Sequence, residues 1–322
     1  MKVLVILVSF AALISAGTVP ESARFNPVYD YMARIGIPEA ERIRKAEEAA
    51  LSSRIVGGNK AAHGQLPYQV GLISDIIGTT SRGICGGSLI TENRVVTAAH
   101  CWFDGRNHGW RFTVVLGSVY LFSGGHRVLT SIVTTHPDWI PWLIRNDIMI
   151  VHLLVRVTLS RKLKKYSECL LRTLCTPLPT RQTIITIANM FTATISTIQL
   201  PTGRLLYENF AGYQATASGY GLTESGGNIS AEQFLSYVQV NVIGNNVCGA
   251  AYPTIIQDAH ICTSTLGNVG PLQGDSGGPL VVQTGGRIVL VGATSFGSAL
   301  SLNLPTVYSR ITYYIDFIKA NL

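Results

Sequence analysis

After Arg54 the apolar runs of this chain stay short, and Gly, Asn, Ser and Pro repeatedly interrupt them; the 322 residues include 32 glycines. Runs punctuated this way favour many short strands over long helices. Strands are expected at 68–73, 87–90, 94–97, 112–116 and 148–154. A second set is expected at 214–218, 234–242, 279–283, 288–294 and 306–308. Only the end, Tyr313 to Leu322, reads as a helix, with Tyr314, Ile315, Phe317 and Ile318 available to pack. Two sets of strands flanking an odd middle segment predict two β-barrels plus a terminal helix, and the length suffices for real cores.

The N-terminus reads as an address label. Lys2 precedes an apolar run from Val3 to Ala16, closed by the small residues Ser15, Ala16 and Gly17. Such a run is too short to span a bilayer and suits a signal peptide over residues 1–17, with export into an oxidising compartment. From Thr18 to Arg54 the chain reads as a cysteine-free linker with one helical patch, Pro38 to Leu51, built on an early proline and strong helix formers.

The formal charge is +7, but seven basic residues and one acid fall between Arg156 and Arg181, so that window alone carries +6. Residues 1–54 carry +1 and the rest is balanced. A charge confined to one segment offers no broad basic surface for phosphates, so no nucleic-acid partner is expected, nor a membrane one.

Three local patterns carry chemistry. Gly274-Asp275-Ser276-Gly277-Gly278-Pro279 sets a serine among glycines that let the backbone turn tightly and bring its N–H groups to a reacting carbonyl. Gly274-x-Ser276-x-Gly278 also fits the nucleophile elbow of α/β-hydrolases. That fold needs its histidine after the serine, whereas the last histidine here is His260. Upstream, Val95-Val96-Thr97-Ala98-Ala99-His100-Cys101 ends a strand on a histidine, and Asn146-Asp147-Ile148-Met149-Ile150 carries a carboxylate into an apolar strand.

The order His, Asp, Ser in these contexts, with Ile55-Val56-Gly57-Gly58 after Arg54, resembles the chymotrypsin-like serine protease family over residues 55–322, and insect chymotrypsin-like and collagenolytic enzymes most. The resemblance implies an all-β fold of two antiparallel six-stranded Greek-key β-barrels with a C-terminal α-helix. It also implies a triad. Ser276 is the nucleophile, His100 the base and then acid, and Asp147 the group that fixes the imidazole. Backbone N–H groups of Gly274 and Ser276 form the oxyanion hole. By the same resemblance, cleavage after Arg54 frees the α-amino group of Ile55 to pair with Asp275, which makes residues 18–54 an activation propeptide.

Gly270 aligns with the pocket floor, Ser295-Phe296-Gly297 with the strand that pairs with substrate backbone, and Thr306 with a deep wall. No carboxylate stands at Gly270 or Thr306 to partner a basic side chain, so apolar P1 residues are expected. The pairings of six cysteines are open on sequence alone. The resemblance implies Cys85–Cys101 and Cys248–Cys262, leaving Cys169 and Cys175 unmatched. It also shows Leu272 and Val282 where relatives often carry cysteine.

The segment 157–198 departs from the family, with Gly219 lying 72 positions after Asp147. Three readings stay open for it: a translated intron, a disordered surface loop, or an exosite. Asn228-Ile229-Ser230 fits a glycosylation acceptor. No metal or other cofactor is expected. Thr113–Thr130, where calcium-binding relatives supply carboxylates, lacks Asp and Glu. The whole reads as a secreted, extracellular, monomeric zymogen of a digestive or tissue-degrading endopeptidase. Its partners would be protein or peptide substrates, an activating trypsin-like protease and protein inhibitors. The rival reading is a non-catalytic homologue acting as a binding or regulatory protein.

Overall fold

The structure, a computed structural model, describes residues 26–52, 61–62, 64–160, 195–221, 235–266, 270, 274–297 and 304–322. Arg54, Ile55, Cys169, Cys175, Asn228 and Leu272 lie outside the described residues, as does most of the departing segment.

The first half is a sheet of β1 (Gln69–Ile76), β2 (Arg82–Thr91), β3 (Arg94–Thr97), β4 (Gly109–Leu116), β5 (His126–Thr130), β6 (Val133–Thr135) and β7 (Met149–His152). Its order is β5-β4-β1-β2-β3-β7-β6. The six strands expected of this half are present, one of them divided by a break at Ser131–Ile132, so that β5 pairs with β4 and β6 pairs with β7. Both edges of the sheet come from one continuous stretch of chain. Thr130 Oγ1 donates to the His152 carbonyl at 2.6 Å, and His152 N donates to Ile132 O at 2.9 Å, across the break.

The second half is a closed barrel of β8 (Gln214–Gly219), β9 (Ser236–Ile243), β10 (His260–Thr263), β11 (Pro279–Thr284), β12 (Arg287–Phe296) and β13 (Thr306–Arg310). A helix at Asn245–Ala251 (α2) follows β9, and Ile315–Ala320 (α3) closes the chain.

Burial patterns follow position. β9 alternates inward and outward residues along much of its length, as a barrel strand with one wet face should. β1 is buried almost throughout, because one face fills the first core and the other is covered by chain from outside the sheet. The two halves share a third core, in which Val96, Ile148 and Ile150 meet Val281, Leu290, Ile311 and Ile318. Among the described residues no helix is long and apolar enough to cross a membrane.

The helical patch expected at Pro38 to Leu51 is a helix, and the chain from residue 26 leading into it is packed on the first half rather than a free linker. Met32–Gly36 forms a wide helical turn that runs into the helix α1 (Ile37–Ser52). Pro38 sits where the wide turn passes into the regular helix, a place where a proline is accommodated. Ala40, Ile43, Ala46 and Glu47 repeat at helical spacing on one buried face, against Ile73, Ile84, Val115 and Leu121. The opposite face carries Glu41, Arg44, Lys45 and Glu48 as solvent-side ion pairs. Glu47 caps the far end of the contact by accepting from the backbone N–H groups of Leu121 and Phe122.

Candidate active site

The candidate site lies where the two halves meet. β3 delivers His100 through a short turn, Ala99–Cys101, and the neighbouring Cys85–Cys101 disulfide ties that turn to β2. Asp147 enters just before β7. His100 Nδ1 stands 2.8 Å from Asp147 Oδ2, and the backbone N–H of His100 donates to Oδ1 at 2.9 Å. Both residues are buried.

The second half completes the setting of the carboxylate. Ser295 Oγ donates to Asp147 Oδ2 at 2.5 Å, and Ser309 Oγ donates to the Asp147 carbonyl at 2.6 Å. Desolvation pushes the Asp147 carboxyl upward. The facing His100 and the hydrogen bonds from His100 and Ser295 outweigh it, and the group is held below its usual range.

Ser276 sits in the tight turn after Gly274, whose φ is +94°. Its carbonyl accepts from Gly86 N on β2 at 2.7 Å, which fixes the turn to the first half. Gly221 N donates to Asp275 Oδ1 at 2.7 Å, and the Asp275 side chain lies directly over Gly219.

Between His100 and Ser276 stands a residue from outside the sheets. The Tyr31 ring meets the His100 imidazole edge-on, centroids 4.6 Å apart. Its hydroxyl donates to Ile84 O at 3.0 Å and lies near the Ser276 side chain. Burial pushes the Tyr31 hydroxyl pKa up, against the influence of Ser276. His100 Nε2 is buried and has no hydrogen-bond partner among the described residues.

The expected pocket residues divide into two groups. Gly270, Gly297 and Thr306 converge: a Cβ on Gly297 would stand 3.2 Å from Thr306 Oγ1, and one on Gly270 3.6 Å from the same atom. Thr265, which nothing in its sequence context marks, lies against Gly270 as well. Ser295 points instead at Asp147, and Phe296 is buried among Val28, Cys248, Cys262 and Val307. The Cys248–Cys262 bridge, with S–S 2.06 Å, ties α2 to β10 behind Phe296. Sequence reading missed Ser309, although its alternation with Tyr308 on β13 turns it away from the barrel interior.

Cys85, Cys101 and His100 bring three donor atoms within 4.8 Å of one another. Both sulfurs are consumed in the disulfide, so this trio is no ligand set for a metal.

His260, on β10 against Phe296, supplies a pH handle. Its Nδ1 accepts from Gln257 N at 3.0 Å, and the ring lies near the Ile144 backbone. Desolvation pulls its pKa down to about 4. An unfolded imidazole titrates near ~6.5, so between these values the unfolded chain binds the extra proton. The neutral ring's contribution is complete above that range and is lost as pH falls toward the folded pKa, by up to about 3 kcal/mol. Urea unfolding followed from neutral to mildly acid pH should show this slope, and His260→Gln should flatten it. A variant profile parallel to the wild type would refute the assignment.

Two β halves meeting at a buried His–Asp pair and a glycine-flanked serine belong to serine endopeptidases of the chymotrypsin type. The chain is a member of the trypsin family, whose profile, described as Trypsin, matches residues 55–318. It is 31% identical over 273 residues to "Serine protease 1" of Drosophila melanogaster, covering 84% of this chain and 86% of the relative. It is also 31% identical over 272 residues to "Collagenase" of Hypoderma lineatum, covering 83% and 87%. A solved HL collagenase structure superposes with a TM-score of 0.65 at 30% identity, over 83% of this chain and 98% of that one.

Proposed function

We propose that this chain is the secreted zymogen of a serine endopeptidase in which His100, Asp147 and Ser276 form the working triad. The observation that carries the reading is the His100–Asp147 pair, held from the first half by backbone and from the second by Ser295 and Ser309. In this mechanism Ser276 Oγ attacks the scissile carbonyl while His100 Nε2 takes its proton. Asp147 stabilises the imidazolium and keeps Nδ1 protonated. The N–H groups of Gly274 and Ser276 receive the developing oxyanion, and the proton on His100 passes to the leaving amine. Water then repeats the sequence on the acyl-enzyme, restoring Ser276.

Activation proceeds by cleavage after Arg54, with the freed Ile55 amine engaging Asp275. The pocket bounded by Gly270, Gly297 and Thr306 takes an apolar P1 side chain. Those three positions offer no carboxylate to a buried cation, and the Thr306 side chain takes up room a larger group would need. The similarity to "Collagenase" and "Chymotrypsin-C" agrees with a digestive or tissue-degrading role outside the cell.

The test is to cut the precursor after Arg54 and assay short amide substrates with Phe, Leu, Ala or Arg at P1. Hydrolysis after Leu or Phe, abolished by Ser276→Ala, is the expected result. Hydrolysis only after Arg would overturn the pocket reading. Inactivity of the correctly cut, folded chain freed of its prosegment would overturn the catalytic one.

A further inference from the structure

The cleft is filled along its length by residues that none of the chemistry above requires. The chain enters at Asn26, whose side chain donates to Pro141 O at 2.8 Å, and Val28 is wholly buried beside Phe296 and Ile144. Tyr31 then lies between His100 and Ser276. Met32 packs on the Cys85–Cys101 side, where its sulfur fills the space over Gly83. The helix α1 leaves across β1 and β2. The first half carries two built anchors for this segment. Asp104, fully buried, accepts the backbone N–H of Met32 at 2.8 Å, and Asn107 with Arg106 holds Asp30.

The segment touches the reacting groups and yet is not presented for cutting. A bond is attacked when its carbonyl can enter the oxyanion donors. Here the carbonyls of Val28, Asp30 and Met32 accept from the backbone N–H groups of Tyr31, Arg34 and Ile37, closing them into helical turns. What stands at the nucleophile is a phenol ring with no bond to break.

We propose that residues 26–48 are an inhibitor docked in this cleft, which stays bound after the chain is cut at Arg54, so that its dissociation is a second, separate step of activation. The proposal rests on the protease reading above and adds a partner to its site: a short, partly helical peptide with a valine–tyrosine–methionine face. No cysteine lies between residues 1 and 84, so once the chain is cut non-covalent contacts alone retain the segment. Two forms of latency are then superposed on one molecule. The uncut junction leaves Asp275 without the Ile55 amine, and the docked segment excludes substrate. Tyr31→Ala removes only the second.

The experiment uses the full precursor, with residues 52–54 replaced by the recognition sequence of a site-specific protease that leaves Ile55 as the new N-terminus. After cutting, the peptide is expected to co-elute with the large fragment on gel filtration. Activity on a small amide substrate should appear with a lag that shortens on dilution. In the Tyr31→Ala precursor the peptide should dissociate at least about ten-fold more readily, the lag should vanish on cutting, and the uncut chain should stay inactive. A synthetic 26–48 peptide added back to the stripped enzyme should inhibit competitively and bind a Ser276→Ala version alike. Immediate full activity on cutting, with no binding of the peptide to either version, would overturn the proposal and leave the protease reading standing. A stripped enzyme that binds the peptide yet cuts nothing would support the docking and sink the protease reading instead.

Discussion

Asp147→Asn is expected to lower kcat on a small amide substrate by about ten-thousand-fold, with KM and urea midpoint little changed. The magnitude is the usual one for a triad of this type; the direction follows from the hydrogen bonds. His100 Nδ1 faces Oδ2 at 2.8 Å and the His100 backbone N–H faces Oδ1 at 2.9 Å. With the backbone N–H claiming the side-chain oxygen, an asparagine would turn its amide N–H toward Nδ1. The imidazole would then carry its proton on Nε2, where it cannot accept one from Ser276. Ser309 grips the Asp147 carbonyl rather than its side chain, so the backbone at this point should hold its place. The prediction is checked by steady-state kinetics beside unfolding curves. A loss of activity matched by a loss of folding would mean that Asp147 is a structural residue, and near-normal kcat would remove it from the mechanism.

Gly277→Ala should be a severely damaging single-methyl change, costing about 3 kcal/mol or more of stability and the activity with it. Gly277 has φ +79°. A Cβ there would overlap Thr97 Oγ1, stand 2.6 Å from the Gly86 carbonyl oxygen and 3.1 Å from Ala98 N. Thr97 cannot rotate away freely, since its hydroxyl donates to that same Gly86 oxygen at 2.7 Å. Relief therefore has to come from backbone on both sides of the cleft. Gly285→Ala is the matched control. It too has positive φ, +55°, but nothing lies within 4 Å of its added methyl, so only the backbone penalty of about 1 kcal/mol remains. Equal destabilisation of the two variants by thermal melts would show that steric contact at Gly277 is not the cause.

How much of this was legible in the sequence depended on whether a feature is local. The strand sets around His100, Asp147 and Ser276 were readable because each joins an apolar run to a distinctive short motif. β5, with its exposed residues His126, Arg127 and Leu129, the three-residue β6, and β10, buried at all four residues, escaped because none shows the alternation that marks a strand. Ser295 was assigned with Phe296 and Gly297 to the strand that pairs with substrate backbone, which leaves the direction of its side chain open. A strand turns successive side chains to opposite faces, and that alone separates Ser295, facing Asp147, from Phe296. The docking of Val28, Tyr31 and Met32 had no local signal at all. Their partners lie up to hundreds of positions away, and complementarity of that kind appears only when the chain is folded.

The seam between the halves has one more consequence. Gly86 N holds the Ser276 carbonyl, Ser218 Oγ donates to Gln69 Oε1 at 2.8 Å, Ser295 and Ser309 hold Asp147, and Arg94 Nε donates to Asn321 O at 2.8 Å. The halves are therefore poor candidates for exchange as modules. A chimera grafting the second half of a relative onto this first half inherits its strands intact. It still loses function unless the seam is transplanted as a unit, because each half was shaped as the other's template.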